Sequence, residues 1–153
     1  MFFAQPPPHL KDKPIVCSKQ AKAILYISSV NALSAMYGIY NSHYRSSFLA
    51  ACVFLTSINY WRYPVYGWRR TLDVGCVMFS WSTMLIVALR SQYCLYYYLL
   101  SMLAMSCYPV SHYFANNNKP YIGTLFHSQI HIIGNLALFV LFSGEIPHFS
   151  FLT

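Results

Sequence analysis

The stretch "YIGTLFHSQIHIIGNLALFVLFS", residues 121–143, contains no Asp, Glu, Lys or Arg. Its length matches the ~20 residues that an α-helix needs to cross a ~30 Å hydrocarbon core. At about 100° per residue, Thr124, His127, Ser128, His131, Gly134 and Asn135 fall within an arc of roughly 120°. Ile130, Ile132, Ile133 and Leu136 occupy the remaining faces. The spacing predicts a membrane-crossing helix with a polar stripe turned toward protein, where Gly134 lets a neighbouring helix come close.

Working outward, four more apolar segments emerge at about 22–41, 46–61, 71–90 and 93–112. Each approaches the length of a transmembrane span. The expected fold is therefore all-α: a multi-pass bundle of about five transmembrane helices over 22–143, after a polar tail at 1–21 and before a short tail at 144–153. Composition agrees, because only 8% of the 153 residues are charged against 57% hydrophobic, and the mean hydropathy is +0.41. Soluble domains carry about a quarter charged residues. Fourteen Tyr suit the membrane–water interface. Between the second and third segments "YWRYPVYGW" interrupts helix with Pro64 and Gly67, and the polar linker "HYFANNNKPY" places Pro120 to start the last helix.

The formal charge of +7 comes from ten Lys and Arg against three acids. These basic residues punctuate apolar stretches instead of forming a basic face on a soluble fold, so nucleic acid is not the expected partner. If five spans alternate, Lys11, Lys13, Lys19, Lys22, Arg62, Arg69, Arg70 and Lys119 share one side, and only Arg45 and Arg90 fall on the other. The positive-inside rule then sets the N-terminus on the cytoplasmic side and the C-terminus outside. The five cysteines form no CxxC pair, which argues against both a disulfide framework and a zinc ribbon.

Ionisable and polar groups inside a bilayer are expensive and tend to be functional. On the inner halves of the expected helices stand Ser57, Asn59, Asp73, Cys76, His112, His127 and His131. Two neutral imidazoles at i and i+4 can ligate one zinc ion, as HExxH helices do. The same two can equally hydrogen-bond across the bundle. Asp73 has Arg69 at i−4 and Arg70 at i−3, a helix-start and ion-pair arrangement that competes with a catalytic role.

Ser57, Asp73 within "GWRRTLDVGCV", and the pair in "HSQIH" together resemble the ceramidase-like superfamily of membrane hydrolases, which includes the alkaline ceramidases and the adiponectin and progestin receptors. Its pattern is a Ser followed four residues later by a His on one helix, an Asp on the next and HxxxH on the last. The resemblance implies a zinc-dependent hydrolase of a lipid amide or ester, with Asp73 and Ser57 catalytic and with His127 and His131 as metal ligands; the third ligand has to come from elsewhere in this chain, with His112, Asp73 and Cys76 as candidates. Trp61 stands where the family's first His would stand, and five helices are read here against the family's seven.

Two functional readings follow. One is a membrane-embedded bundle or accessory subunit with a buried polar and histidine site, whose partners are the lipid bilayer and a second membrane protein or another copy of the chain. The other is the zinc-dependent hydrolase with a lipid substrate. A bis-histidine haem protein fits less well, because His127 and His131 share one helix.

Overall fold

A computed structural model describes residues 14–146. The chain is all-α, and its helices are α1 (Ser18–Ser28), α2 (Val30–Tyr40), α3 (Tyr44–Trp61), α4 (Trp68–Ala88), α5 (Cys94–Asn116) and α6 (Pro120–Phe142). Lys11, Lys13 and most of both expected tails lie outside the described residues.

α1 and α2 make one rod, so the bundle has five. Only Ser29 separates them, and its backbone stays in the right-handed helical region. The interruption has a local cause. Ser28 Oγ donates to the Ile24 carbonyl at 2.8 Å, and Ser29 Oγ donates to Leu25 at 3.3 Å. Such back-bonding competes with the backbone ladder and bends helices.

Three segments are long and apolar enough to cross a membrane: Ser18–Tyr40, Trp68–Ala88 and Pro120–Phe142. α3 and α5 are not among them, since hydroxyls and amides dilute α3 and tyrosines and serines dilute α5. The boundaries differ from the sequence expectation mainly at two places. The first helix begins at Ser18, inside the expected tail, and α5 runs to Asn116 through half of the expected polar linker.

Two turns reverse the chain by the same device. After α2, Ser42 adopts φ 64°, and the His43 and Ser42 amides donate to the Gly38 and Ile39 carbonyls. After α5, Asn118 adopts φ 58° and the Lys119 amide donates to the Phe114 carbonyl at 3.0 Å. Both are Schellman-type ends, which satisfy carbonyls that the helix leaves open. Pro120 then occupies the first turn of α6, where no amide hydrogen is needed. The α3–α4 loop closes at Gly67, whose φ of 141° is open to glycine and disfavoured for other residues.

The two ends of the bundle are distinct. Pro14 bridges Val65, and the Ile15 amide donates to the Pro64 carbonyl at 2.8 Å, so the entering chain lies on the α3–α4 loop. At the opposite end Tyr37 Oη and Ser143 Oγ are 2.9 Å apart, and His43 Nε2 donates to the Gly144 carbonyl at 3.1 Å.

Packing is inverted relative to a soluble protein. Ser28, Ser34, Ser47, Ser57, Ser101 and Asn135 are buried, while Leu33, Leu55, Phe79, Ile86, Leu99 and Leu136 face outward. Interior apolar groups form two small clusters, one around Met84, Tyr97, Leu141 and Phe142 and another of Ile24, Tyr60 and Trp61. Small residues permit the close helix contacts that lipid-embedded bundles use in place of a hydrophobic driving force.

A close backbone approach joins α5 to α6. A Cβ on Gly123 would stand 2.9 Å from the Ser111 carbonyl oxygen and 3.2 Å from the Ala115 amide nitrogen. Ser111 Oγ also donates to the Gly123 carbonyl at 2.8 Å. Gly123→Ala should therefore cost about 1–3 kcal/mol by overpacking. Gly75→Ala, where nothing lies within 4 Å of the added carbon, should gain roughly 0.5–1 kcal/mol from helix propensity. Thermal unfolding of the two variants in detergent checks this opposition of sign.

Candidate functional site

The polar stripe of α6 meets the first rod. His131 and Asn135, one turn apart, face Ser28, Asn31 and Ser34, which recur at a helical spacing across the α1–α2 interruption. His131 Nε2 and Ser28 Oγ are 3.3 Å apart, and Ser34 Oγ donates to Asn135 Oδ1 at 2.5 Å. Asn135 Nδ2 donates both to the His131 carbonyl, at 2.6 Å, and to Asn31 Oδ1. All five side chains are buried.

Ser28 Oγ reaches both the Ile24 carbonyl and His131 Nε2, and Ser34 Oγ likewise reaches both the Asn31 carbonyl and Asn135 Oδ1. Among the described residues Asn31 Nδ2 is buried without a hydrogen-bond partner. Interhelical hydrogen bonds in membranes contribute about 0.6 kcal/mol each, with a maximum near 1.7.

A second polar cluster lies between α3 and α4. Ser57 Oγ donates to Asp73 Oδ1 at 2.7 Å and Thr56 Oγ1 to the same oxygen at 3.1 Å. Asp73 and Ser57 are both buried. The neighbouring arginines lie over aromatic rings: Arg69 Cζ is 5.6 Å from the Trp68 ring and Arg70 Cζ is 5.5 Å from the Tyr66 ring.

Of the residues singled out from sequence, Ser57 and Asp73 touch, and the rings of His127 and His131 are 5.5 Å apart. His127 is half-buried and its ring lies 4.8 Å from that of Trp61 in a T-shaped arrangement, so the Trp61 ring occupies the space beside it on the α3 side. His112 is exposed on α5, with its ring 4.7 Å from that of Tyr108. Among the described residues no three His, Cys, Asp or Glu side chains gather closely enough to hold a metal ion.

Ser28, Asn31 and Ser34 on the first rod meet the α6 stripe, whereas the sequence places the expected partners of the histidines on the middle helices. The signal was present as three polar residues at i, i+3 and i+6 within "SSVNALS", residues 28–34. What one sequence does not reveal is that the first and last rods are neighbours.

A cavity of about 120 Å³ opens beside the seam. Asn31, His131 and Asn135 form one pole, and Val53, Val77, Met84 and Leu138 contribute apolar wall. Across it, Trp81 Nε1 donates to Ser101 Oγ at 2.6 Å and ties α4 to α5.

No protein-family model, curated protein or solved structure matches this chain.

Asn135 bridges more groups than any other member of the seam. Asn135→Leu should lower unfolding stability in detergent by about 1–2 kcal/mol, whereas Ile132→Ala on the outward face should change it by less than about 0.5 kcal/mol. Equal losses from the two variants would show that the seam does not hold the bundle.

Proposed function

We propose that the protein is a five-span integral membrane protein acting as a membrane-embedded bundle or accessory subunit, with its N-terminus on the cytoplasmic side and its C-terminus outside. The observation that carries this reading is the inverted packing: serine, asparagine and histidine inside, large aliphatic and aromatic side chains outside. In water such an exterior would aggregate, and in lipid it is the favourable arrangement. Its immediate partner is the bilayer, and a second membrane protein or another copy of the chain is the natural further one.

Charge supports the orientation. The entering chain lies against the α3–α4 loop, so Lys19 and Lys22 share an end with Arg62, Arg69 and Arg70. Lys119 in the α5–α6 turn adds to that end if the rods alternate, and Arg45 and Arg90 belong to the other. Cys17 is exposed, and a membrane-impermeant maleimide should label it from the cytosolic side. A cysteine introduced by Ser143→Cys should react from the opposite side. Labelling of Cys17 only from outside would overturn the orientation.

The second reading is a lipid hydrolase of the ceramidase-like kind, and the Ser57–Asp73 contact favours it. Its zinc would find only His127 and His131 at the matched positions, and with Trp61 against His127 this donor set does not fit a three-histidine centre. Metal analysis of the purified full chain separates the readings. The bundle reading expects no stoichiometric zinc in the wild type; about one zinc per chain, lost in both His127→Ala and His131→Ala, would favour the hydrolase instead.

A further inference from the structure

Small residues leave space where α3, α5 and α6 face α4. Ala50, Ala104, Gly134 and Ala137 all line the cavity of about 120 Å³, opposite Val77 and Met84 of α4. The polar side chains around it are engaged with one another. Asn135 is held by Ser34, Asn31 and the His131 carbonyl, His131 Nε2 meets Ser28, and Ser101 accepts from the Trp81 indole. Asn31 Nδ2, which has no partner, has essentially no accessible surface and offers nothing to the cavity. The surface turned to this space is almost wholly carbon.

A void of this kind forfeits the dispersion contacts of the atoms around it. Water is a poor filler, because a buried water usually makes about three hydrogen bonds and an apolar cavity stays dry. Hydrocarbon restores the missing contacts and leaves no hydrogen bond unmade. The volume of about 120 Å³ is close to the ~150 Å³ of an apolar cavity that takes up benzene. A hydroxyl on a body of that size would lose its solvation and gain no partner.

We propose that this cavity is a binding site for one hydrocarbon group of about six carbons that carries no hydrogen-bonding function. Two sources supply that chemistry: a free small apolar molecule, and the end of an acyl chain from the surrounding lipid. The site depends on the cavity wall and not on which way the bundle is oriented in the membrane.

The test uses the purified full chain in micelles of a rigid steroid-based detergent, with fluorobenzene and 3-fluorophenol as probes read by fluorine NMR against empty micelles. The wild type should bind fluorobenzene saturably, and 3-fluorophenol at least about tenfold more weakly, as the unpaired hydroxyl requires. In Gly134→Val the saturable binding should vanish: Gly134 lines the cavity, and a Cβ there comes no closer than 4.0 Å to Ala104 Cβ, so the added methyls take up cavity space. Repeating the titration in a straight-chain detergent identifies the source. An acyl-chain site should hold fluorobenzene at least about threefold more weakly there, because detergent tails compete by mass action; unchanged affinity assigns the site to a free apolar molecule. Wild-type partitioning that is non-saturable and matches empty steroid-detergent micelles would overturn the proposal. So would equal affinity for the two probes, or undiminished fluorobenzene binding in Gly134→Val.

Discussion

The bundle depends on how it disposes of the amide of Asn135. A primary amide carries two donors and an acceptor with two lone pairs, and hydrocarbon offers partners to none of them. On α6 the amide reaches its own helix through the His131 carbonyl and the first rod through Ser34 and Asn31. Once those contacts form, the rotation of α6 about its axis and its register against α2 are set together. His131 then falls opposite Ser28, and Leu136 and Ile132 fall outward. The gain per hydrogen bond is small, but every alternative register leaves polar atoms facing carbon, and that penalty makes the arrangement specific.

Small residues and helix ends do the remaining work of placement. Gly123 lets α6 approach the α5 backbone until Ser111 can donate across the gap. The two Schellman-type turns keep the connections short, so α2 must lie beside α3 and α5 beside α6. Polar links join α4 to its neighbours: Thr56 and Ser57 to Asp73 on the α3 side, and Trp81 to Ser101 and Tyr98 to the Leu85 carbonyl on the α5 side. The cavity lies where these links hold the helices together without filling the space between them.

Much of this was legible in the sequence because membrane helices are written in composition. The length and apolarity of 121–143 determine a helix, and the 100° spacing of Ser128, His131 and Asn135 identifies the buried face. Pro120 and Gly67 mark boundaries that the structure keeps. The interruption at Ser29 was not legible, because a serine that back-bonds and one that merely sits in a helix look alike in sequence. Nor was the pairing of the first rod with the last. Sequence spacing orders residues along a helix, whereas adjacency between distant helices depends on how all five rods close together.

The two histidines of "HSQIH" show why spacing alone does not define chemistry. They lie on one face and one turn apart, yet their surroundings diverge. His131 is buried in the seam, with its Nε2 3.3 Å from Ser28 Oγ. His127, one turn nearer the Lys- and Arg-rich end, is half-buried with its ring T-shaped against that of Trp61. A shared ligand between them requires both rings to turn toward one point, and the Ser28 contact draws His131 toward the first rod while Trp61 occupies the α3 side of His127. The i, i+4 pattern thus marks a helix face, and the residues opposite that face assign each imidazole its part.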